Sequence, residues 1–542
     1  MSAFNNAQDF LPVIEHSELR FHSDSIEMPV QLFSEEADYK FGVLDIKIRP
    51  GIPINSKHIH ILFNIDCSGS MSDQCSDGRT KMEHIVYTLK NMIRIFYKEW
   101  NCNISVHIQK FDGDVAQVVS GLNNIRDRPL EALLKEIDDS IVPNGCTNIE
   151  KALETASFEL ASYYALNPDH EIVHVLLTDG EITNGSQNYE HLLSLVPNGC
   201  TNIFLGYGLE HDSDLLSHLA CNKGNEYRFI DALEKAGFVY GEVIHGLLYK
   251  AIEDITLTSG TAEFYDFRTN KWHNSIQVGN LLSEQKKTFH VRSKTPTPGL
   301  CSVSVYGKTI VKTRETQVID IYENQCDVST STFAEPVNLG IYVFRQRTQE
   351  LLYEAKHLST ERRQIVPVLD SMRPFEDELS PLPSLNNMRN VQKNLKEKLN
   401  EFHQKMLAYV RDNNLQNDPI MRMLCDDIYI AYKTIGTSVG TMYTTARQSS
   451  NGNQHTYMCS ATQPMFRRER QRSFNANFNF GVPKKRMANA SPDANTVVLN
   501  FEALELNTRE TLDIENYTPS DAFMSPFQSS SVVDVMREVS GL

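Results

Sequence analysis

The feature that most constrains this chain is an alternation. Between residues 58 and 251, short apolar runs and segments of helical spacing follow one another almost without a break. The run HIHILFNI at 58–65 reads as a buried strand. Residues 81–99 place Ile85, Leu89, Met92, Ile93 and Phe96 on one helical face. Residues 104–111 and 115–120 read as strands joined by the turn Asp112-Gly113-Asp114, and 129–141 and 149–166 as helices. IVHVLLT at 172–178 is another buried strand, and 203–206 and 227–230 are shorter ones with helical sequence around them. Strands this apolar, separated by helices, predict a doubly wound α/β unit whose parallel sheet is covered on both faces.

The flanks have a different rhythm. Residues 19–48 and 255–321 carry short alternating stretches with turn residues between them, which predicts an antiparallel β-sandwich module with the α/β unit inserted into it. From about Pro336 the pattern turns helical. Met388, Val391, Leu395, Leu399, Phe402, Met406 and Val410 recur at steps of three and four, and a second helical segment covers 419–432. After Arg447 the apolar density falls and Asn, Ser, Gln and Thr dominate, which predicts a mostly disordered tail. The expected organisation is therefore 1–55 as the first strands of the β module and 56–252 as the α/β domain. The remainder divides into 253–330 as the rest of the β module, 331–447 as a helical region and 448–542 as the tail.

Composition limits the functions such a chain can have. Lys+Arg 52 against Asp+Glu 69 gives a net charge of -17, which argues against general binding to nucleic-acid phosphates. The N-terminal residues lack a basic start followed by an apolar run, and no window approaches the roughly 18 apolar residues of a membrane span. The ten cysteines form no C-x-x-C pair, so zinc-ribbon, RING and thioredoxin spacings are missing, and reduced thiols in a cytoplasmic setting are expected. In the tail, the clusters at 467–472 and 484–486 could serve nuclear import or contact a polyanion, and Ser491, Thr518 and Ser525 each precede a proline. No Walker A loop, G-x-S-x-G elbow or H-E-x-x-H pair occurs. The histidines at 58, 60, 84 and 107 read as structural, and His211-Asp212 as a loop contact. The sequence does not read as that of an enzyme.

The segment that carries chemistry is Asp66-Cys67-Ser68-Gly69-Ser70, where the first buried strand ends. One carboxylate and two hydroxyls at i, i+2 and i+4 can supply half the oxygen shell of a hard cation such as Mg²⁺. Gly145-Cys146-Thr147-Asn148 and Thr178-Asp179-Gly180 offer further oxygen ligands at places where loops leave the carboxyl ends of strands. VPNGCTNI occurs twice, at 142–149 and 196–203. The first copy runs into a helix and the second into a strand, so Thr147 is assigned to the metal and Thr201 to structure.

Asp66-x-Ser68-x-Ser70, then Thr147, then Asp179 closely resembles the metal-ion-dependent adhesion site of the von Willebrand factor A domain. The resemblance extends over about 200 residues, into 203–208, 212–220 and the strand that follows. It implies that Ser68, Ser70 and Thr147 coordinate Mg²⁺, or Mn²⁺ or Ca²⁺, through hydroxyls. Asp66 and Asp179 would act directly or through water, and one coordination position would be left for an Asp or Glu of a partner protein. It also implies that the last helix of the domain, expected at 232–251, can shift and alter the site. A structural or assembly scaffold, possibly viral, is the competing expectation, as is a substrate-binding subunit in a ubiquitin-type pathway. The sequence leaves the oligomeric state undetermined.

Overall fold

The computed structural model describes residues 14–21, 39–49, 58–75, 78–99, 103–208, 211–222, 224–230, 236–294, 301–312, 319–329, 339–372, 383–437, 440–455, 514, 517, 526–527 and 529–540. Two strands come first, β1 (Ile14–Phe21) and β2 (Lys40–Ile48). The α/β unit then runs β3 (His58–Asp66), α1 (Lys81–Lys98), β4 (Asn103–Phe111), β5 (Val115–Val119), α2 (Leu130–Ser140), α3 (Ile149–Leu166), β6 (Glu171–Thr178), α4 (Tyr189–Leu195), β7 (Thr201–Tyr207), α5 (Ser213–Leu219), β8 (Glu226–Ile230) and α6 (Ala236–Leu248). Its six strands lie in the order β5-β4-β3-β6-β7-β8. All pairings are parallel except β4 with β5, which the Asp112–Asp114 turn makes a hairpin.

Burial explains why the strand sequences are continuous apolar runs. Ile59, Ile61, Phe63 and Ile65 of β3 pack into a cluster with α1, α2 and α6, whereas Leu176, Phe204 and Phe229 on the other face join α3, α4 and α5. Helix α1 begins with a capping box: Glu83 N–H donates to Thr80 Oγ1 at 3.1 Å and Thr80 N–H to Glu83 Oε2 at 2.6 Å. Its five predicted face residues are all buried.

The flanking strands build the expected antiparallel module around this unit. Strands β9 (Lys250–Thr258), β10 (Glu263–Asp266), β11 (Lys271–His273), β12 (Ser275–Leu282), β13 (Lys286–Ser293), β14 (Ser302–Lys312) and β15 (Ile319–Ser329) form two sheets, β1-β2-β13-β10-β11 and β12-β9-β14-β15. Leu44 of β2 lies opposite Leu19 on one side and Phe289 on the other, so strands from before and after the α/β unit close one sheet. Leu19, Leu44 and Val291 from one sheet and Ile255, Leu281 and Val303 from the other share a core. The α/β unit is inserted into this pair of sheets. Helix α6 ends before the 251 expected, because Lys250 and Ala251 already belong to β9; residues 231–235 lie outside the described residues.

Four helices follow: α7 (Gly340–Met372), α8 (Pro383–Asp412), α9 (Pro419–Thr434) and α10 (Gly440–Asn453). The α8 stripe packs through Leu395, Leu399, Phe402 and Met406, while Val391 is half exposed. On α10, Tyr443 meets Phe229 of β8 edge to face at 5.7 Å and joins the helical region to the α/β core.

Two pieces of the expected tail have regular structure. Helix α10 continues to Asn453 with Gln448, Ser450 and Asn451 buried, and a last helix, α11 (Ser530–Ser540), packs on the α/β unit. The basic clusters at 467–472 and 484–486, and Ser491, Thr518 and Ser525, lie outside the described residues. Among the described residues no helix is long and apolar enough to cross a membrane.

Candidate metal centre

Strand order places the site. The chain leaves the central strand β3 through α1 toward β4 on one side, and its other neighbour, β6, arrives only later. The crevice above their carboxyl ends is the switch point at which α/β sheets bind ligands. Ile65 lies opposite Leu177, so Asp66 and Thr178 end side by side. Both are wholly buried, as is Asp179.

The side chains named from sequence form one connected cluster. Ser70 Oγ donates to Asp179 Oδ1 at 2.7 Å and lies 3.0 Å from Ser68 Oγ. Asp66 Oδ1 accepts from the Ser68 N–H at 2.8 Å, and Asp66 Oδ2 from Thr178 Oγ1 at 2.6 Å. A Cβ added to Gly180 would stand 3.7 Å from Thr147 Oγ1 and 3.8 Å from Ser70 Oγ, so both hydroxyls face the same point over that glycine. Asp66, Ser68, Ser70 and Asp179 are thus linked to one another, and Thr147 stands beside Ser70 across Gly180, so the five oxygen-bearing side chains from three loops lie close together.

Backbone bonds lock the three loops together. Gly69 N–H donates to Gly145 O at 3.2 Å, Asn148 N–H to Asp112 O at 3.0 Å, and Thr183 N–H to Thr147 O at 3.1 Å. Thr147 N–H is held in turn by Thr183 Oγ1 at 2.8 Å. Gly145 has φ +72, and a side chain there would press on the Asp112 carboxylate at 3.3 Å. The second VPNGCTNI copy has another fate: Thr201 opens β7 on the far side of β6, paired with Val173 at the amino end of that strand.

Electrostatics at the site favour a cation. Burial pushes the Asp66 carboxyl up to about 6, against the opposing pull of its bonds from Thr178 and Ser68. Lys81, the first residue of α1, donates its ammonium to Asp179 Oδ2 at 2.6 Å and lies 3.3 Å from Asp73 Oδ2. Burial disfavours the charge on Lys81, but the bond and the charge of Asp179 outweigh it and hold its pKa above the ordinary lysine value. Sequence reasoning passed over Lys81 and Thr183, and named Thr178 only as part of the oxygen-bearing segment 178–180. Lys81 reads from sequence as the first residue of a helix, and Thr183 as an ordinary loop residue. Only the β3–β6 register reveals what Thr178 does.

The donor set suits a hard divalent ion. Two carboxylates and three hydroxyls are oxygen ligands of the kind Mg²⁺, Mn²⁺ and Ca²⁺ prefer, and the buried Asp179 already draws one positive charge. Among the described residues no group of three or more His, Cys, Asp or Glu side chains is placed to hold a metal. A cation held here would depend instead on hydroxyls.

The remaining sequence candidates are structural in their contacts. His211 is buried, with Nδ1 against Gly208 O at 2.8 Å and Nε2 against Tyr227 Oη at 2.7 Å. Asp212 caps α5 by accepting from the Asp214 and Leu215 N–H groups. His58 and His60 share Ser105 Oγ at 3.0 and 2.7 Å, at the opposite end of β3 from Asp66.

Residues 60–238 match the model of the von Willebrand factor type A domain. No curated protein matches the chain. Among solved structures the chain is similar to a von Willebrand factor type A protein from Catenulispora acidiphila, with 13% identity and a TM-score of 0.43 over 65% of this chain and 83% of that one. It is also similar to the ArnB paralog VWA2 from Sulfolobus acidocaldarius, with 13% identity and a TM-score of 0.43 over 81% and 98% of the two chains. A third likeness is to proximal thread matrix protein 1 of the mussel byssus, whose MIDAS motif is occupied by zinc in that structure. The identity there is 18% and the TM-score 0.29, over 35% of this chain and 48% of that one. Residues 60–238 form a von Willebrand factor type A domain, inserted into an antiparallel β module and followed by a helical region.

Proposed function

From a von Willebrand factor type A domain in this setting, we propose that the chain is a non-enzymatic protein-interaction module. Asp66, Ser68, Ser70, Thr147 and Asp179 would hold Mg²⁺, and through it a carboxylate of a partner protein. The observation that carries this reading is the convergence of three hydroxyls and two buried carboxylates at the β3–β6 switch point. The ion supplies positive charge that three neutral ligands leave partly uncompensated, which attracts an acidic side chain. The chain's own residues do the rest. Ser68, Ser70 and Thr147 orient neutral oxygens, Thr178 fixes the Asp66 carboxylate, and the cross-loop backbone bonds keep the three loops in register.

Cys67 and Cys425 are buried as free thiols, in keeping with the reducing, cytoplasmic setting we propose. Isothermal titration of an Asp-containing and a Glu-containing peptide series, in Mg²⁺ and in EDTA, tests the module. Binding that needs Mg²⁺ and is lost in Asp66→Ala/Ser68→Ala supports the reading, and binding that ignores EDTA contradicts it.

A further inference from the structure

Helix α11 covers a groove between α1 and α6, far from it in sequence. Its apolar face is Val532, Val535, Met536 and Val539, at the i, i+3, i+4, i+7 positions of a helix laid into a groove, while Asp534, Arg537 and Glu538 point to solvent. Met536 and Val539 are wholly buried.

The groove has been shaped for a close backbone approach. Gly237 and Gly241 stand one turn apart on α6, and a Cβ on either would run into the α11 backbone, at Ser540 and Met536 respectively. Each glycine costs α6 about 1 kcal/mol of helix propensity relative to alanine. The seated helix is the structural reason both are there. Polar ties run from the buried middle of the contact to its rim. Asn91 Nδ2 donates to Val539 O at 2.8 Å, Lys98 pairs with Glu538 at 2.7 Å, His245 Nε2 meets Ser531 Oγ at 2.8 Å, and Ser531 N–H reaches Glu284 Oε2 at 3.2 Å.

We propose that the α1–α6 groove is a helix-docking site and that α11 is its tethered, releasable occupant. An apolar helix face set at i, i+3, i+4 and i+7 in a glycine-lined groove is the anatomy of a peptide complex. Here the tether keeps the local concentration of the helix high, so the groove stays closed to other helices. The ligand class is an amphipathic helix with aliphatic side chains at the α11 spacing, of which the chain's own C-terminal segment is the resident example.

The test uses the full chain with a protease recognition sequence inserted between Tyr517 and Pro526, folded intact and then cut. A fluorescent peptide spanning residues 529–542 is the probe. We expect it to exchange onto the cut chain, raising its anisotropy, and to bind the uncut chain at least about 100-fold more weakly, because the tethered helix competes at high effective concentration. The Met536→Asp peptide should not bind, and the melting temperature of the cut chain should stay within a few degrees of the uncut one. A C-terminal fragment that stays bound without exchanging, or release that unfolds the α/β unit, would show that α11 is an integral part of the fold and overturn the proposal. Gly241→Leu, introduced into the cleavable chain, gives an independent reading: it should open the groove before cutting, and an unchanged, fully protected α11 in hydrogen exchange would also overturn it.

Discussion

The two ends of β3 carry opposite chemistry. At the carboxyl end, Asp66 and Asp179 are buried beside hydroxyls and the Lys81 ammonium, an environment that gathers positive charge. At the amino end, His58, His60, His107 and His170 cluster with Ser105 and Tyr163 and are kept neutral. His58 stacks on His170 at 4.1 Å, His60 on Tyr163 at 3.7 Å, and Tyr163 Oη lies 2.9 Å from His170 Nδ1. Burial lowers His58 and His107 to about 4 and His60 to about 3, and neighbouring histidines add to the effect at His58 and His60. One strand thus joins a site that attracts a cation to a cluster that resists becoming one. The difference comes from what surrounds each end: carboxylates above the sheet, and below it imidazoles whose burial outweighs the nearby carboxylates Glu159 and Asp169.

The largest expected effect is at the carboxyl end. Asp66→Ala/Ser68→Ala should weaken Mg²⁺ binding by about 100-fold or more, since it removes two of five ligands where losing even a supporting contact commonly costs 10–100-fold. Calorimetric titration checks it, with the amino-end variant His60→Gln expected to leave affinity unchanged. Thr147→Ala should weaken binding while Thr201→Ala does not, which tests the choice between the two VPNGCTNI copies.

The amino end predicts a pH dependence with a definite sign. Histidines lowered in the folded state bind fewer protons than in the unfolded chain, so their stabilising contribution is complete above about pH 6.5 and is lost as pH falls toward 4. The charged and titratable groups around the cluster are Glu159, which lies 3.2 Å from His107, Tyr163 and Asp169. Solvent screening discounts the partly exposed His58 and His170, so the loss between pH 7.5 and 5 is carried mainly by His60 and His107 and is about 4 kcal/mol. Denaturant unfolding at several pH values measures it, and His58→Gln/His60→Gln should flatten the slope.

Two smaller effects sharpen the contrast. Lys81→Met removes a competing cation from Asp179 and should tighten Mg²⁺ binding by about tenfold, or ~1.4 kcal/mol. Tyr163→Phe removes one hydroxyl that bridges His170 and Ser105, and should cost about 1 kcal/mol of stability with no change in metal affinity.

Much of this was legible in the sequence, for physical reasons that also explain what was not. The buried strands and α1 announced themselves because a parallel sheet covered on both faces requires continuous apolar runs, and the α8 stripe because one helical face is apolar. Helix α10 gave no such signal. It buries Thr441, Thr444, Arg447, Gln448 and Asn451, satisfied by partners such as Asp427, 2.6 Å from Arg447 and 3.3 Å from Asn451. With a polar buried side, its last turn from Gln448 on reads as tail until the partners are known. Likewise the site residues could be named from spacing, but Thr178 and Lys81 take their roles from contacts across the β3–β6 register and from the first turn of α1, which spacing does not report.

The central claim is that five side chains from three loops form one cation site, and direct titration of the intact chain with Mg²⁺ and Mn²⁺ tests it, alongside a Ser68→Ala/Ser70→Ala/Thr147→Ala variant with both carboxylates retained. The account predicts one site per chain in the wild type and its loss in the variant, because hydroxyls supply three of the five ligands. A wild type that binds neither ion, or a variant that binds as tightly as the wild type, would contradict it.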